Sequence, residues 1–353
     1  MRAERLQYLD GLRGIAILAV VLFHAFARWP GLVPTPYGDR YASLFGWGWL
    51  GVELFFLISG FVICMTLDRC DSFGQFMGRR WLRLFPTMLV ASLVIFATAP
   101  LANRPTGVPT AAQLLPGLTF IDSRWLTPIG GPDSLEGTFW SLYAEMKFYL
   151  FAGFVHFTFG RRWLIAGLIG GFAAYCAAVA LGLGTVARLF YFLDIPFWLW
   201  FASGASFYQW WRQRQRVAFL AALGLGIVAS AVPVPGAGTI PNMLFAPFLG
   251  LPLVLLFAAA LTWVPAQRAL SHPALLFAGF ISYPLYLIHD QALIGMTLML
   301  SHVAPWMPFL LLPLLPLALL MGVAWVIAAH CEKPVRQALL RAPTMMTIAA
   351  NPN

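Results

Sequence analysis

Apolar residues in this chain come in long runs rather than in narrow stripes. A run of about 18 or more such residues is enough to cross roughly 30 Å of hydrocarbon. Runs of this kind recur from one end of the sequence to the other. The pattern predicts ten helical spans, at about 12–29, 44–66, 84–100, 138–159, 163–182, 189–210, 217–232, 243–264, 274–300 and 307–330. Strands of a membrane barrel would instead alternate apolar and polar residues over segments of roughly ten, and no such alternation is present. The predicted fold class is therefore an all-α polytopic membrane protein. It reads as a single transmembrane domain over 1–341, with a disordered tail expected over 342–353.

Composition strengthens this reading. The 353 residues are 60% hydrophobic and only 10% charged, whereas soluble domains carry about a quarter charged residues. The formal charge of +9 raises the question of nucleic acid, and its placement answers it. With the N-terminus inside, 16 basic residues fall in cytoplasmic segments, among them Arg13, Arg69, Arg79, Arg80, Arg83, Arg161, Arg162, Arg212 and Lys333. Five fall outside (Arg28, Arg40, Arg104, Arg124 and Arg188), and Lys147 lies within a span. That asymmetry follows the positive-inside rule. It predicts both termini in the cytoplasm and needs no nucleic-acid partner. Ala25-Phe26-Ala27 after an apolar run mimics a signal-peptide cleavage site, but Asp10 and His24 and the charge alternation argue for a retained first span. None of Cys64, Cys70, Cys176 and Cys331 falls in a segment placed outside, so no disulfide framework is expected. Neither CxxC nor HExxH spacing suggests a metal site. The longest loop, about 101–137, is placed outside. Residues 72–83 read as an interfacial amphipathic stretch.

Ionisable groups inside the spans are the informative exceptions, because each costs a few kcal/mol in hydrocarbon and so marks a candidate functional site. By helical rise, His24, Glu53, Glu145, Asp194, His289 and Asp290 all fall in the outer half of the bilayer. Their alternative role is to satisfy one another as interhelical polar contacts. Along the first span, Arg13 and His24 are eleven residues apart. Eleven steps of about 100° return to within about 20° of the start, so both side chains face the same way, about 16 Å apart along the axis. Asp10 joins that face. The separation is on the order of a pantetheine arm. One face can therefore hold a coenzyme A phosphate at Arg13 and present a thioester beside His24. Arg80 and Arg83 share a helix face on the same side, and a guanidinium suits phosphate through its planar fork of donors. Arg161, Arg162 and the arginines at 212, 214 and 216 read as topological charge.

The motifs are "YLDGLRGIAILAVVLFH", "VELFFLISGFVI", "RRWLRLFP", "GTFWSLYAEMKFYL", "ISYPLYLIH" and "CEKPVR". In this order, over essentially the whole chain, the sequence resembles the acyltransferase family 3 membrane proteins. The resemblance implies a ten-helix core in the bacterial cytoplasmic (inner) membrane. Such a core moves an acyl group, usually acetyl, from cytoplasmic acyl-CoA to an acceptor hydroxyl on a carbohydrate or lipid-linked glycan. It implies His24 as the catalytic group, Glu145 as a second site residue, and Arg13, Arg80 and Arg83 as acyl-CoA-binding. Acyl-CoA would be a substrate, with no tightly bound cofactor. Histidine can take the proton of the attacking alcohol, with a carboxylate orienting the ring. By depth, Glu145 and Glu53 are the candidates for that carboxylate, and Asp10 is too near the inner face. His24 acting instead as an acyl carrier stays open. Trp140, Ser141, Tyr143, Tyr286 and His289 are candidate supporting or acceptor-pocket residues. Two other readings remain: a proton-coupled transporter or flippase, and acylation of a small molecule such as a macrolide.

Overall fold

A computed structural model describes residues 6–29, 32, 44–231 and 250–341. The tail 342–353, residues 243–249 of one expected span, and Arg2, Arg5 and Arg40 lie outside the described residues. The described residues form a helical bundle. Its main helices are α1 (Gln7–Phe26), α2 (Gly51–Leu67), α3 (Phe73–Thr98), α4 (Trp140–Phe159), α5 (Arg162–Ala180), α6 (Trp198–Gln213), α7 (Arg216–Ala231), α8 (Leu251–Thr262), α9 (Pro273–Ile288), α10 (Asp290–Val303), α11 (Leu314–Val326) and α12 (Glu332–Arg341).

Among the described residues, five helical stretches are long and apolar enough to cross a membrane: Gln7–Phe26, Gly46–Leu67, Phe73–Thr98, Arg162–Ala180 and Leu314–Arg341. Leu251–Thr262 with Val264–Leu270, bent by 105°, would make a sixth. The other expected spans depart from that simple form for identifiable reasons. The 274–300 run is not one helix. Pro284, which lacks an N–H for the helix ladder, precedes a break at His289, and the chain continues as α10. The 189–210 run breaks at Asp194, which takes a left-handed φ of 57° between Gly184–Phe192 and α6. Helix α6 is buried along most of its length, so it faces protein rather than lipid. The 72–83 stretch is continuous with the span that follows it, in one 26-residue helix. Its start is fixed by Ser72, whose Oγ accepts the Gln75 N–H at 3.2 Å, while the Gln75 side chain accepts the Asp71 N–H at 2.8 Å. That is the reciprocal logic of a capping box.

Helix association rests on small residues, as expected where lipid supplies no hydrophobic driving force. Helix α1 packs along α9 and α2 along α6. A Cβ on Gly279 would sit 2.0 Å from the Asp10 carbonyl oxygen. At the arginine-rich end, Asp68 accepts from Arg161 at 3.0 Å and from Tyr208 at 2.6 Å, and it also pairs with Arg212. Two arginines that look merely topological therefore clamp α2, α5 and α6 together.

The long loop is tied to the bundle by a compact charge cluster. Asp122 and Asp194, each 2% exposed, face Arg124 and Lys147. Arg124 reaches Asp122 and Asp194 at 2.6 and 2.7 Å, and Lys147 reaches them at 2.5 and 2.6 Å. Two cations matched to two carboxylates leave no buried charge uncompensated. Asp194→Ala should cost on the order of 3 kcal/mol by leaving buried cations short of a partner. Thermal unfolding in detergent would register this as a lowered midpoint. An unchanged midpoint would make the cluster ornamental.

Candidate active site

The sequence-predicted residues assemble into two adjoining groups. The first is a cavity of about 110 Å³. Arg13 from α1, Arg80 and Arg83 from α3, and Ser141 and Glu145 from α4 all line it, together with Ser59, Tyr149 and Tyr286. Arg13 pairs with Asp10 at 3.1 Å, one helical turn before it. Arg80 donates to Thr66 Oγ1 at 2.6 Å and lies over the Tyr149 ring at 5.7 Å. Arg83 pairs with Glu332 at 3.2 Å. Glu332 opens α12, immediately after the π-helical turn Ile327–Cys331. The Glu145 carboxylate accepts from Ser59 Oγ at 2.5 Å and from the Tyr149 hydroxyl. Three cationic side chains and one firmly bonded carboxylate thus share a cavity wall.

The second group lies beside Tyr286. His24 Nδ1 donates to its own helix, to the Val20 carbonyl, at 2.8 Å. His289 Nδ1 donates to the Leu285 and Tyr286 carbonyls at 3.1 and 3.0 Å. Those bonds assign the hydrogen of each ring to Nδ1; the His24 Nε2 lone pair is left free, while that of His289 Nε2 faces the His24 Nδ1–H. The rings meet edge to face, centroids 4.7 Å apart, with His289 Nε2 3.3 Å from His24 Nδ1. His24 Nε2 looks toward Asp290 Oδ1 at 3.7 Å, in a site where the two side chains are 11% and 6% exposed. Among the described residues, Asp290 Oδ1 has no hydrogen-bond partner of its own.

Tyr286 joins the groups. Its hydroxyl is bonded to Ser141 Oγ at 2.7 Å and to the Thr138 carbonyl at 3.0 Å, and its ring lies on the cavity wall. Its centroid is 5.8 Å from that of His289.

Some expectations are not met. The carboxylate opposite His24 is Asp290, not Glu145 or Glu53. Glu145 belongs to the arginine cavity, and Glu53 is buried near the start of α2 with Oε2 unpartnered among the described residues. Asp194 belongs to the salt-bridge cluster. Depth along a helix fixes height but not azimuth, so residues at one depth need not meet. Trp140 packs on Phe56 and Phe197, at 6.1 and 5.1 Å, as part of the core. The Tyr143 hydroxyl turns to Ser134 of the long loop at 3.2 Å.

Against this geometry, the comparisons with known proteins are decisive about kinship. A model of the acyltransferase 3 family, described as an acyltransferase domain, matches residues 6–331. The chain belongs to the acyltransferase 3 family. Among curated relatives of this family member, acyltransferase MdmB of Streptomyces mycarofaciens is 34% identical over 158 residues, covering 42% of this chain and 38% of that protein. ORF330 of Acidianus two-tailed virus, provisionally named an acetyltransferase, is 27% identical over 225 residues, covering 59% of this chain and 61% of that protein. SACOL0978 of Staphylococcus aureus (strain COL), provisionally named an O-acetyltransferase, is 28% identical over 155 residues, covering 40% of this chain and 23% of that protein. The matched stretches thus span less than two thirds of each relative's own length. No solved structure matches the chain.

Proposed function

We propose that this acyltransferase 3 family member takes an acyl group, acetyl by default, from cytoplasmic acyl-CoA. It transfers that group to a hydroxyl of a carbohydrate or lipid-linked glycan at the outer face of a bacterial inner membrane. The chain crosses the bilayer ten times with both termini in the cytoplasm, in accord with the positive-inside charge split. The observation that carries the reading is the pairing of the two groups: an arginine-lined cavity has Tyr286 in its wall, and Tyr286 adjoins the His24–His289–Asp290 cluster.

In this reading Arg13, Arg80 and Arg83 hold the phosphates of coenzyme A, and Asp10 and Glu332 are the anions that those phosphates displace. The acceptor hydroxyl meets His24 Nε2, whose lone pair is free because Nδ1 is committed to Val20. As the oxygen attacks the thioester carbonyl, the proton passes to Nε2. The C–S bond breaks, and the thiolate leaves as CoA and recovers a proton. Asp290 at 3.7 Å stabilises the imidazolium formed. His289 packs against the ring and fixes its plane.

Purified protein incubated with labelled acetyl-CoA and candidate acceptors (polysaccharide, lipid-linked glycan, macrolide) should transfer label to an acceptor hydroxyl. Proton-coupled flux of an acceptor with no labelling would instead mark a transporter. Arg80→Ala should raise the KM for acetyl-CoA by about tenfold, the size of a lost charge-assisted hydrogen bond, and should change kcat little. An unchanged KM would remove Arg80 from the donor site.

A further inference from the structure

Apart from Asp122 and its cluster, the long loop between α3 and α4 carries a buried ion pair that the reaction above does not use. Arg104 is 8% and Glu136 1% exposed. Their side chains pair at 3.1 Å, and Arg104 Nη2 also donates to the Leu135 carbonyl at 2.6 Å. Glu136 Oε2 accepts the backbone N–H of Gln291 at 3.2 Å. Gln291 is the second residue of α10, so this bond satisfies one of the first N–H groups of the helix, which have no intrahelical partner. The residue before it is Asp290, the carboxylate opposite His24.

Three further contacts bind the same loop to the same helix. Thr106 Oγ1 donates to Gln291 Oε1 at 3.3 Å. A Cβ on Gly295, one turn further along α10, would lie 1.9 Å from the Ala102 carbonyl oxygen, so helix and loop touch backbone to backbone. A Cβ on Gly137 would come within 3.0 Å of Asp290 Oδ2. Residue 137 therefore forms the floor under the Asp290 carboxylate. The helix that carries Asp290 begins after a one-residue break in the helix ladder at His289. The loop contacts therefore add to the packing of α10 on α1 and α11 in holding its first turn.

We propose that Glu136, held by Arg104, is a positioning residue of the acyl-transfer site. It pins the first turn of α10 so that the Asp290 carboxylate stays opposite His24 Nε2. The inference rests on the reading of His24 as the group that takes the acceptor proton. Burial pushes the Glu136 carboxyl up, to about 8, against the pull of Arg104. The neutral acid and the carboxylate both leave an oxygen to accept the Gln291 N–H, so the positioning bond survives the change of charge. A glutamine at 136 reproduces that acceptor.

The test uses the full chain in lipid nanodiscs, labelled acetyl-CoA as donor and glycerol at high concentration as a probe alcohol. CoA release and labelled ester are both measured. Glu136→Ala should lower kcat by about 100-fold, the scale expected when reacting groups are misplaced by about 1 Å, while the KM for acetyl-CoA is unchanged. Glu136→Gln should recover most of the rate. Gly137→Ala crowds Asp290 without touching the Arg104 pair, and it should lower kcat with the same unchanged KM. This variant keeps the test decisive if Glu136→Ala does not fold. Wild-type kcat in both the folded Glu136→Ala and Gly137→Ala proteins overturns the proposal. A raised KM with unchanged kcat does so too, by placing Glu136 on the donor side. A wild-type protein that releases no CoA, or a fully active His24→Ala, overturns the acyl-transfer reading itself and the positioning role with it.

Discussion

His24→Ala is expected to abolish acyl transfer while the protein still inserts, folds and binds acetyl-CoA. Removal of a general base typically costs about 10²–10⁴ in rate, and here no neighbour can take over. His289 Nε2 is directed at the His24 ring itself, 3.3 Å from Nδ1, and so has no open approach to an acceptor hydroxyl. Asp290 faces His24 Nε2 across 3.7 Å. Without the imidazole it is separated from the thioester by the space the ring filled. Folding should survive, because the shorter of the two hydrogen bonds lost runs from His24 to its own helix, at Val20, and the other is the longer contact with the His289 ring. Acetyl-CoA should still raise the thermal midpoint of the variant, since Arg13, Arg80 and Arg83 are untouched. Asp290→Asn should fall between the two, keeping the base and losing the counter-charge to the imidazolium. Retained activity in folded His24→Ala would end the catalytic claim. Loss of activity together with loss of acetyl-CoA stabilisation would show only that the fold was damaged.

The helical class and the nearness of Arg13 to Arg80 and Arg83 were legible because they depend on local quantities, whereas the place of Glu145 and Ser141 in the same cavity was not. Apolar run length marks membrane helices, and i, i+3 and i+11 spacings set which side chains share a face. Arg13 and Arg80 lie on helices far apart in sequence, yet each points from its own helix toward one cavity. The partner of His24 was not legible in this way. Asp290 shares a depth with Glu53 and Glu145, and depth alone does not separate them. What selects Asp290 is the break at His289, which turns a run that reads as one span, 274–300, into two helices. Pro284 hints at such a break, but proline kinks many membrane helices without ending them. Arg104 and Glu136 were harder still. They sit in a loop rich in glycine and proline, where periodicity carries no information, and only the tertiary contact with α10 shows that they are buried.

Gly204→Ala should be among the most damaging single-methyl additions in the molecule. Helices α2 and α6 cross so closely that a Cβ on Gly204 would lie 2.0 Å from the Leu57 carbonyl oxygen, and one on Gly60 would lie 2.2 Å from that of Phe201. The obstructing atom is backbone in each case, so no rotamer change relieves the clash and the helices must part. Overpacking of this kind costs about 1–3 kcal/mol even where side chains can yield, and a backbone contact belongs at or above the top of that range. The effect also reaches the site. Ser59, the residue before Gly60, donates the 2.5 Å bond to Glu145, and Phe55 and Ile58 of the same helix line the arginine cavity. Moving α2 outward therefore unseats the Glu145 wall as well as the core. Gly170→Ala supplies the internal control. It lies within helix α5 with nothing within 4 Å of the added Cβ, so it should be neutral or gain up to about 1 kcal/mol from helix propensity. Thermal unfolding in detergent should separate the two variants, with Gly204→Ala lower than wild type and Gly170→Ala level or higher. Equal midpoints for both would mean that α2 and α6 do not meet backbone to backbone, and the packing that seats Ser59 against Glu145 would have to be redrawn.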